Sequence, residues 1–155
     1  MPQMNRGGKF IFGKSLIRRD GSLLLPPSVV EEYAIGSEKF VYLFTDSKST
    51  GGFCVTRRAL LEPSPLGHIL AENPALRDRQ IPVGEWVAYK GRSYCWLFVS
   101  PEGRLVLTPS MLQDLQLAPG MTLLCIRSSN IAFTIGAKGP LLERERRYRG
   151  EIEVY

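Results

Sequence analysis

The feature that most constrains this chain is an internal repeat. Asp20-Gly-Ser-Leu-Leu-Leu-Pro-Pro-Ser-Val-Val-Glu-Glu-Tyr-Ala-Ile35 lies over Glu102-Gly-Arg-Leu-Val-Leu-Thr-Pro-Ser-Met-Leu-Gln-Asp-Leu-Gln-Leu117 at a constant offset of 82 residues, without a gap. Between Gly21 and Ser28, five of eight positions are identical: Gly21/Gly103, Leu23/Leu105, Leu25/Leu107, Pro27/Pro109 and Ser28/Ser110. Apolar character then runs on through Val29/Met111, Val30/Leu112, Tyr33/Leu115 and Ile35/Leu117, and again from Val41/Leu123 to Phe44/Ile126. Such a repeat is one supersecondary unit used twice. A single unit of this size is too small to bury both faces of its strands, so the copies must bury each other.

Each copy carries the same local signals. An apolar run (Ser15 to Ile17; Cys95 to Val99) meets a turn centred on Asp20-Gly21 or Glu102-Gly103. An acid-Gly pair between apolar runs marks a hairpin, because glycine accepts positive φ. A short strand follows, Leu23 to Leu25 or Leu105 to Leu107, and then a proline at a helix start, where its missing N–H costs nothing. Ser28 with Glu31 and Ser110 with Gln113 have capping-box spacing, and Thr108 competes as N-cap in the second copy. The helices, two to three turns by pattern, are expected to end at Gly36 and at Pro119-Gly120. Two more strands close each copy: Phe40 to Phe44 with Phe53 to Val55, and Met121 to Ile126 with Ile131 to Ile135. The expected core is Leu23, Leu25, Val29, Tyr33, Ile35, Leu105, Leu107, Leu112, Leu115 and Leu117.

The organisation read from these signals is one domain over residues 1–155. Repeat 1 covers about 13–56, a connecting segment 57–94, repeat 2 about 95–138, and a charged tail 139–155. In the connecting segment, Arg57 to Glu62 and Leu66 to Glu72 are weakly helical, broken by Pro63, Pro65 and Pro74. Trp86 to Tyr89 and Ser93 to Val99, around Lys90-Gly91, read as an extra hairpin, with Phe10-Ile-Phe12 as its N-terminal counterpart. Glu143 to Arg149 reads as a solvated, charged helix or extension. The expected fold class is mainly β with short helices (α+β): a duplicated β-barrel of two β-β-α-β-β repeats with pseudo-twofold symmetry, whose closure removes sheet edges. A double-psi type barrel shares this grammar.

Composition excludes several classes. Hydrophobic residues make up 44% of the chain, enough for a proper core, yet no apolar run is long enough to span a membrane. No export signal precedes the fold, so a cytoplasmic location is expected. Cys54, Cys95 and Cys125 lie in apolar runs without CxxC spacing and read as buried reduced thiols, not as a disulfide frame or zinc site. Lys14, Arg18 and Arg19, with Arg6 and Lys9, make residues 1–19 basic without an acid. The remaining 136 residues balance at 15 basic and 15 acidic groups. Such an arm beside a folded body suits a polyanion, or else is a solvated tail.

The string x-x-x-Gly-Arg-φ-φ-φ-Pro-x-x-φ-x-x-x-φ-x-φ (φ apolar), then a turn and two strands, resembles the AbrB/SpoVT/MazE-type swapped-hairpin domain superfamily. The second copy, Glu102-Gly103-Arg104-Leu105-Val106-Leu107-Thr108-Pro109, matches it more closely. Two copies in one chain resemble the duplicated arrangement of the MraZ family. This resemblance implies a swapped-hairpin barrel and a DNA-binding transcriptional regulator, with double-stranded DNA as partner and basic residues near the Gly turns reaching the duplex. Lys14, Arg18, Arg19 and Arg104 are the expected DNA-binding residues. The family's helical arginines are replaced here by Val30 and Glu31, and by Leu112 and Gln113.

The competing expectation is a protein-interaction or assembly module on the same barrel, including a homo-oligomer, with Trp86, Tyr89, Tyr94 and Trp96 as aromatics that serve either an interface or the core. An enzyme is not expected. The single histidine, His68, lies in the connecting segment, and no GxSxG, HExxH, Walker A or GxGxxG motif is present. Gly51-Gly52 opens no helix. Asp20 and Glu102 could form an acid/base pair, but a tight turn asks for the same residues. No catalytic residue, metal ligand, cofactor or small-molecule substrate is assigned.

Overall fold

In a computed structural model, residues 3–4, 10–45, 52–136 and 154–155 are described. The chain is mainly β with a few short helices. The first copy contributes β2 (Phe10–Leu16), β3 (Ser22–Leu24), α1 (Pro27–Tyr33), β4 (Phe40–Thr45) and β5 (Phe53–Thr56), preceded by β1 (Gln3–Met4). The connecting segment holds α2 (Arg58–Leu61), α3 (His68–Ala71), α4 (Pro74–Arg77) and β6 (Val87–Tyr89). The second copy contributes β7 (Arg92–Phe98), β8 (Arg104–Val106), α5 (Pro109–Asp114), β9 (Thr122–Arg127) and β10 (Phe133–Gly136). At the 82-residue offset, β2, β3 and β4 coincide with β7, β8 and β9 residue for residue. The charged tail expected over Glu143 to Arg149 lies outside the described residues.

The copies interleave. One antiparallel sheet runs β1-β2-β9-β10-β5-β4-β7-β6, and a separate two-stranded ribbon pairs β3 with β8. The first strand of each copy thus pairs with the third strand of the other: β2 with β9 and β4 with β7. Exchanging the copies reverses the order β2-β9-β10-β5-β4-β7 onto itself. In the ribbon, Leu23 faces Leu105, flanked by Ser22/Val106 and Leu24/Arg104. Across the sheet's middle, Cys54 faces Thr134. The ladder is open, with β1 and β6 at its two ends. The β2–β9 pairing departs from the equivalent β7–β4 pairing at a bulge between Ile11 and Gly13 in β2, and β10 follows β5 at an offset of 80 rather than 82.

Alternation along the strands builds two apolar layers. The inner layer takes Val41, Leu43, Phe53, Val55, Cys95, Leu97, Leu123, Cys125, Phe133 and Ile135, together with Leu23, Leu25, Leu105 and Leu107. The outer layer takes Phe40, Tyr42, Phe44, Tyr94 and Trp96, and is covered by Leu61, Ile69, Leu70 and Leu76 of the connecting segment. Strand β4 is therefore buried on both faces, which is why its sequence is continuously apolar rather than alternating. Of the ten expected core residues, nine are buried and Leu112 is partly buried against the same core. All three cysteines are buried thiols, outside any disulfide.

The helix termini differ from the sequence reading. Helix α1 has Pro26 as N-cap with no side-chain cap bond, so Ser28 and Glu31 form no capping box. Helix α5 is capped by Thr108, whose hydroxyl accepts from the Met111 N–H at 3.2 Å, and Ser110 lies inside the helix. Neither helix reaches its expected stop. Helix α1 ends at Ala34, in the left-handed region, and a 3-10 turn over Ile35–Ser37 follows. Helix α5 ends before Gln116, which takes the same conformation (φ 57°) at the equivalent position. Pro74, expected to break structure, instead opens α4 at its first helical position.

Candidate nucleic-acid interface

The two Gly turns are the same device. The Gly21 N–H donates to the Arg18 carbonyl and the Arg18 N–H to the Ser22 carbonyl. Likewise, the Gly103 N–H donates to the Ser100 carbonyl and the Ser100 N–H to the Arg104 carbonyl. These are three-residue hairpin loops whose last residue must adopt positive φ, here +82° at Gly21 and +93° at Gly103. Each loop is locked to the other copy, because the Leu25 N–H donates to Gly103 O and the Leu107 N–H to Gly21 O. Close packing adds a second demand for glycine: a Cβ at Gly21 would lie 2.5 Å from Leu107 O, and one at Gly103 would lie 2.4 Å from Val30 Cγ2.

Strand register then decides which side chains share a face. Residues directly opposite on antiparallel strands point the same way, as do residues two apart on one strand. Leu23 and Leu105 point inward and are fully buried. Their neighbours Ser22, Leu24, Arg104 and Val106 therefore lie on the other face, where Arg104 and Val106 are exposed, Leu24 is partly buried and Ser22 is buried. Arg18, opposite Ser22, and Ser100, opposite Arg104, join that face, and it continues onto Leu16 and Lys14 at one end and Phe98 at the other. The turns sit at opposite ends of the ribbon, and their basic residues share one outward face. Strand spacing puts Arg18 and Arg104 about 12 Å apart.

Of the four expected basic residues, Arg18, Arg19 and Arg104 are exposed. Arg19 lies in the loop itself. Lys14 is partly buried on β2, where its carbonyl accepts from the Tyr155 N–H at 2.7 Å and its backbone bridges Val154. Arg6 and Lys9 lie outside the described residues. The set is not symmetric: the positions equivalent to Arg18, Arg19 and Lys14 hold Ser100, Pro101 and Trp96. Acids border the face as well. Hydrogen bonding from Ser22, aided by the Arg104 charge, holds the Asp20 carboxyl below its ordinary range. Ser100 and its own backbone do the same for Glu102, again with help from Arg104. The Ser22 N–H bond to Asp20 Oδ1, 2.9 Å, shows the acid serving the turn.

Other residues singled out in the sequence fall elsewhere. Tyr94 and Trp96 are buried in the outer layer, with the Trp96 Nε1–H donating to the Ile81 carbonyl at 2.9 Å. His68 Nδ1 lies 2.8 Å from the Tyr89 hydroxyl, fixing α3 to β6 within the connecting segment. Asp20 and Glu102 each belong to their own turn. Sequence reasoning missed Arg57, whose guanidinium holds Tyr33 O at 2.7 Å and Glu38 Oε2 at 2.7 Å and so joins α1 to α2. It also missed Arg79, whose guanidinium carbon lies 3.8 Å from the centre of the Phe40 ring. No helix among the described residues is long and apolar enough to cross a membrane. Comparison with protein-family models, with curated proteins and with solved structures finds no match to this chain.

Proposed function

We propose that the chain is a duplicated swapped-hairpin barrel of the AbrB type and a DNA-binding regulator, which meets duplex DNA through the outward face of the β3–β8 ribbon. The observation that carries this reading is that one face presents Arg18 and Arg104, with Arg19 exposed in the adjoining loop. The exchange of first and third strands between copies supports the fold assignment. A spacing of about 12 Å between Arg18 and Arg104 is close to the width of a major groove, about 12 Å, so the two guanidiniums can serve separate phosphates. Burial of Tyr94 and Trp96 takes away half of the aromatic set that a protein-interaction module on this barrel would use.

A salt titration against genomic DNA fragments tests it. Three phosphate contacts give log K a slope of about −2.7 against log salt, and Lys14 as a fourth gives about −3.6. Replacing Arg18 and Arg19 together by Ala lowers that slope by about 2 and weakens all sequences alike, as loss of phosphate contacts must. Arg104→Ala relaxes preference among sequences if that side chain reads a base edge. Absence of binding at low salt would sink the regulator reading.

A further inference from the structure

The outward face carries an exposed aromatic that phosphate contact does not need. Phe98, at the end of β7, is 64% exposed, while the equivalent Leu16 is partly buried. It is held from below and from the side. Its ring stands edge-on to Trp96 with centroids 4.8 Å apart, and across the ladder it faces Phe40. Arg79 sits over that Phe40 ring. Two residues along from Phe98 is Ser100, which pairs with Arg104 through the turn. A solvent-facing ring thus stands on the strand next to Phe40, which Arg79 covers, and next to the turn that carries Arg104, and among the described residues neither Arg79 nor Arg104 has a carboxylate in ion-pair contact.

We infer that Phe98, with Arg79 over the neighbouring Phe40 ring and Arg104 across the adjoining turn, is a stacking platform for an unpaired nucleobase, so that this face takes single-stranded nucleic acid. The inference rests on the polyanion-binding reading of the face and adds a base contact to it. Every base presents a π-face, so one exposed ring serves any sequence, and the two guanidiniums neutralise the flanking phosphates. A face that bound only backbone charge would gain nothing from an uncovered Phe. Burying that ring against a base removes the apolar exposure as well.

Full-length wild type, Phe98→Ala, Phe98→Trp and Arg79→Ala are titrated with a fluorescein-labelled oligothymidine of about 12 nucleotides, within the site sizes of single-strand binders. The same duplex fragments and inorganic polyphosphate are run in parallel. Phe98→Ala weakens oligothymidine binding about tenfold with the salt slope unchanged, and Phe98→Trp retains it. Arg79→Ala reduces the slope by about 0.7, the single-strand value per contact. Polyphosphate binding is indifferent to Phe98. Since Phe98 is exposed, its truncation leaves the unfolding midpoint in place, and a shifted midpoint would mean that its role is packing. The inference is overturned if wild type ignores oligothymidine, or if Phe98→Ala binds it as wild type does. Duplex binding that loses slope in the Arg18/Arg19 variant but does not respond to Phe98→Ala, with no oligothymidine binding, leaves the regulator reading standing and removes this one. Phe98-dependent oligothymidine binding without duplex binding does the reverse.

Discussion

At the scale of single residues, the repeat preserves what the backbone cannot do without. Gly21 and Gly103 are identical in the two copies because both need positive φ and both are crowded by the other copy. Gly120 offers a control: its φ is +96°, but a Cβ there would meet nothing within 4 Å. Gly120→Ala is expected to cost only the left-handed strain, about 1–2 kcal/mol, whereas Gly21→Ala must also push a Cβ into the Leu107 carbonyl. Urea unfolding of both variants separates the two terms, and equal losses would show that the close approach relaxes freely. The opposite substitution is informative at Ala34 and Gln116, where residues with a Cβ occupy left-handed positions, φ 51° and 57°, that glycine would fill with less strain. Ala34→Gly is expected to raise stability by about 0.5–1 kcal/mol. The αL residue at 34 was not legible in the sequence, because Ala is an excellent helix former and nothing local announces the stop. Gly36, which does look like a stop, is instead needed where its Cβ would press on Pro101 of the other copy, at 2.7 Å from the carbonyl oxygen.

At the scale of elements, short pieces are fixed more by tertiary contact than by propensity. Helix α5 spans only six residues, Pro109–Asp114, below the length at which a helix is stable alone. Its start depends on Thr108, so Thr108→Ala is expected to cost about 1 kcal/mol, measured by thermal or urea unfolding. Helix α1 is tied down differently. The Tyr33 hydroxyl donates to Ser129 O at 2.6 Å in the loop between β9 and β10, and burial pushes the phenol up from 10.0 to about 12. Burial pushes Tyr42 up to about 12 as well, with its hydroxyl donating to Arg77 O at 2.7 Å. A raised folded-state value means that the neutral form is favoured on folding. The stabilisation is therefore complete below the unfolded value near 10 and is lost as pH rises toward 12. Alkaline titration of the unfolding midpoint is expected to fall through that window, and Tyr33→Phe to fall less steeply there, while being less stable at neutral pH. Strands and hairpin turns were legible because alternation, acid-Gly pairs and the repeat reinforce one another. Caps were not: Ser28 has the right residue spacing, but two prolines ahead of it put the helix start two residues too early for its hydroxyl to serve.

At the scale of the whole molecule, the sequence shows that two copies exist, and the pairing shows how each completes the other. No copy contains the partner of its own first strand: β2 needs β9 and β7 needs β4. The connecting segment reinforces this, since its Leu61, Ile69, Leu70 and Leu76 cover the outer side of strands taken from both copies. Its backbone also fills a place that the chain's end fills in the other copy. The Gly84 N–H donates to Trp96 O, while the Tyr155 N–H donates to Lys14 O at the equivalent position. None of this is visible in composition or periodicity, because strand exchange leaves each strand's own pattern unchanged. The basic face shares that dependence, as Arg18 and Arg19 come from one copy and Arg104 from the other, across the Leu23–Leu105 pair. A truncated core next to that pair, at Leu107, whose N–H donates to Gly21 O of the other copy, should therefore weaken both halves together. Leu107→Ala, which removes a side chain only 1% exposed, is expected to cost about 2–5 kcal/mol. Fragments 1–72 and 73–155 made separately are expected to lack cooperative unfolding as monomers, because each leaves four strands without their partners and half of the inner layer exposed. Mixed in equal amounts, they should regain the cooperative transition and sediment as a one-to-one complex. A fragment that unfolds cooperatively as a monomer by circular dichroism and sedimentation would show that each copy closes on itself, and the interleaved pairing would then be wrong.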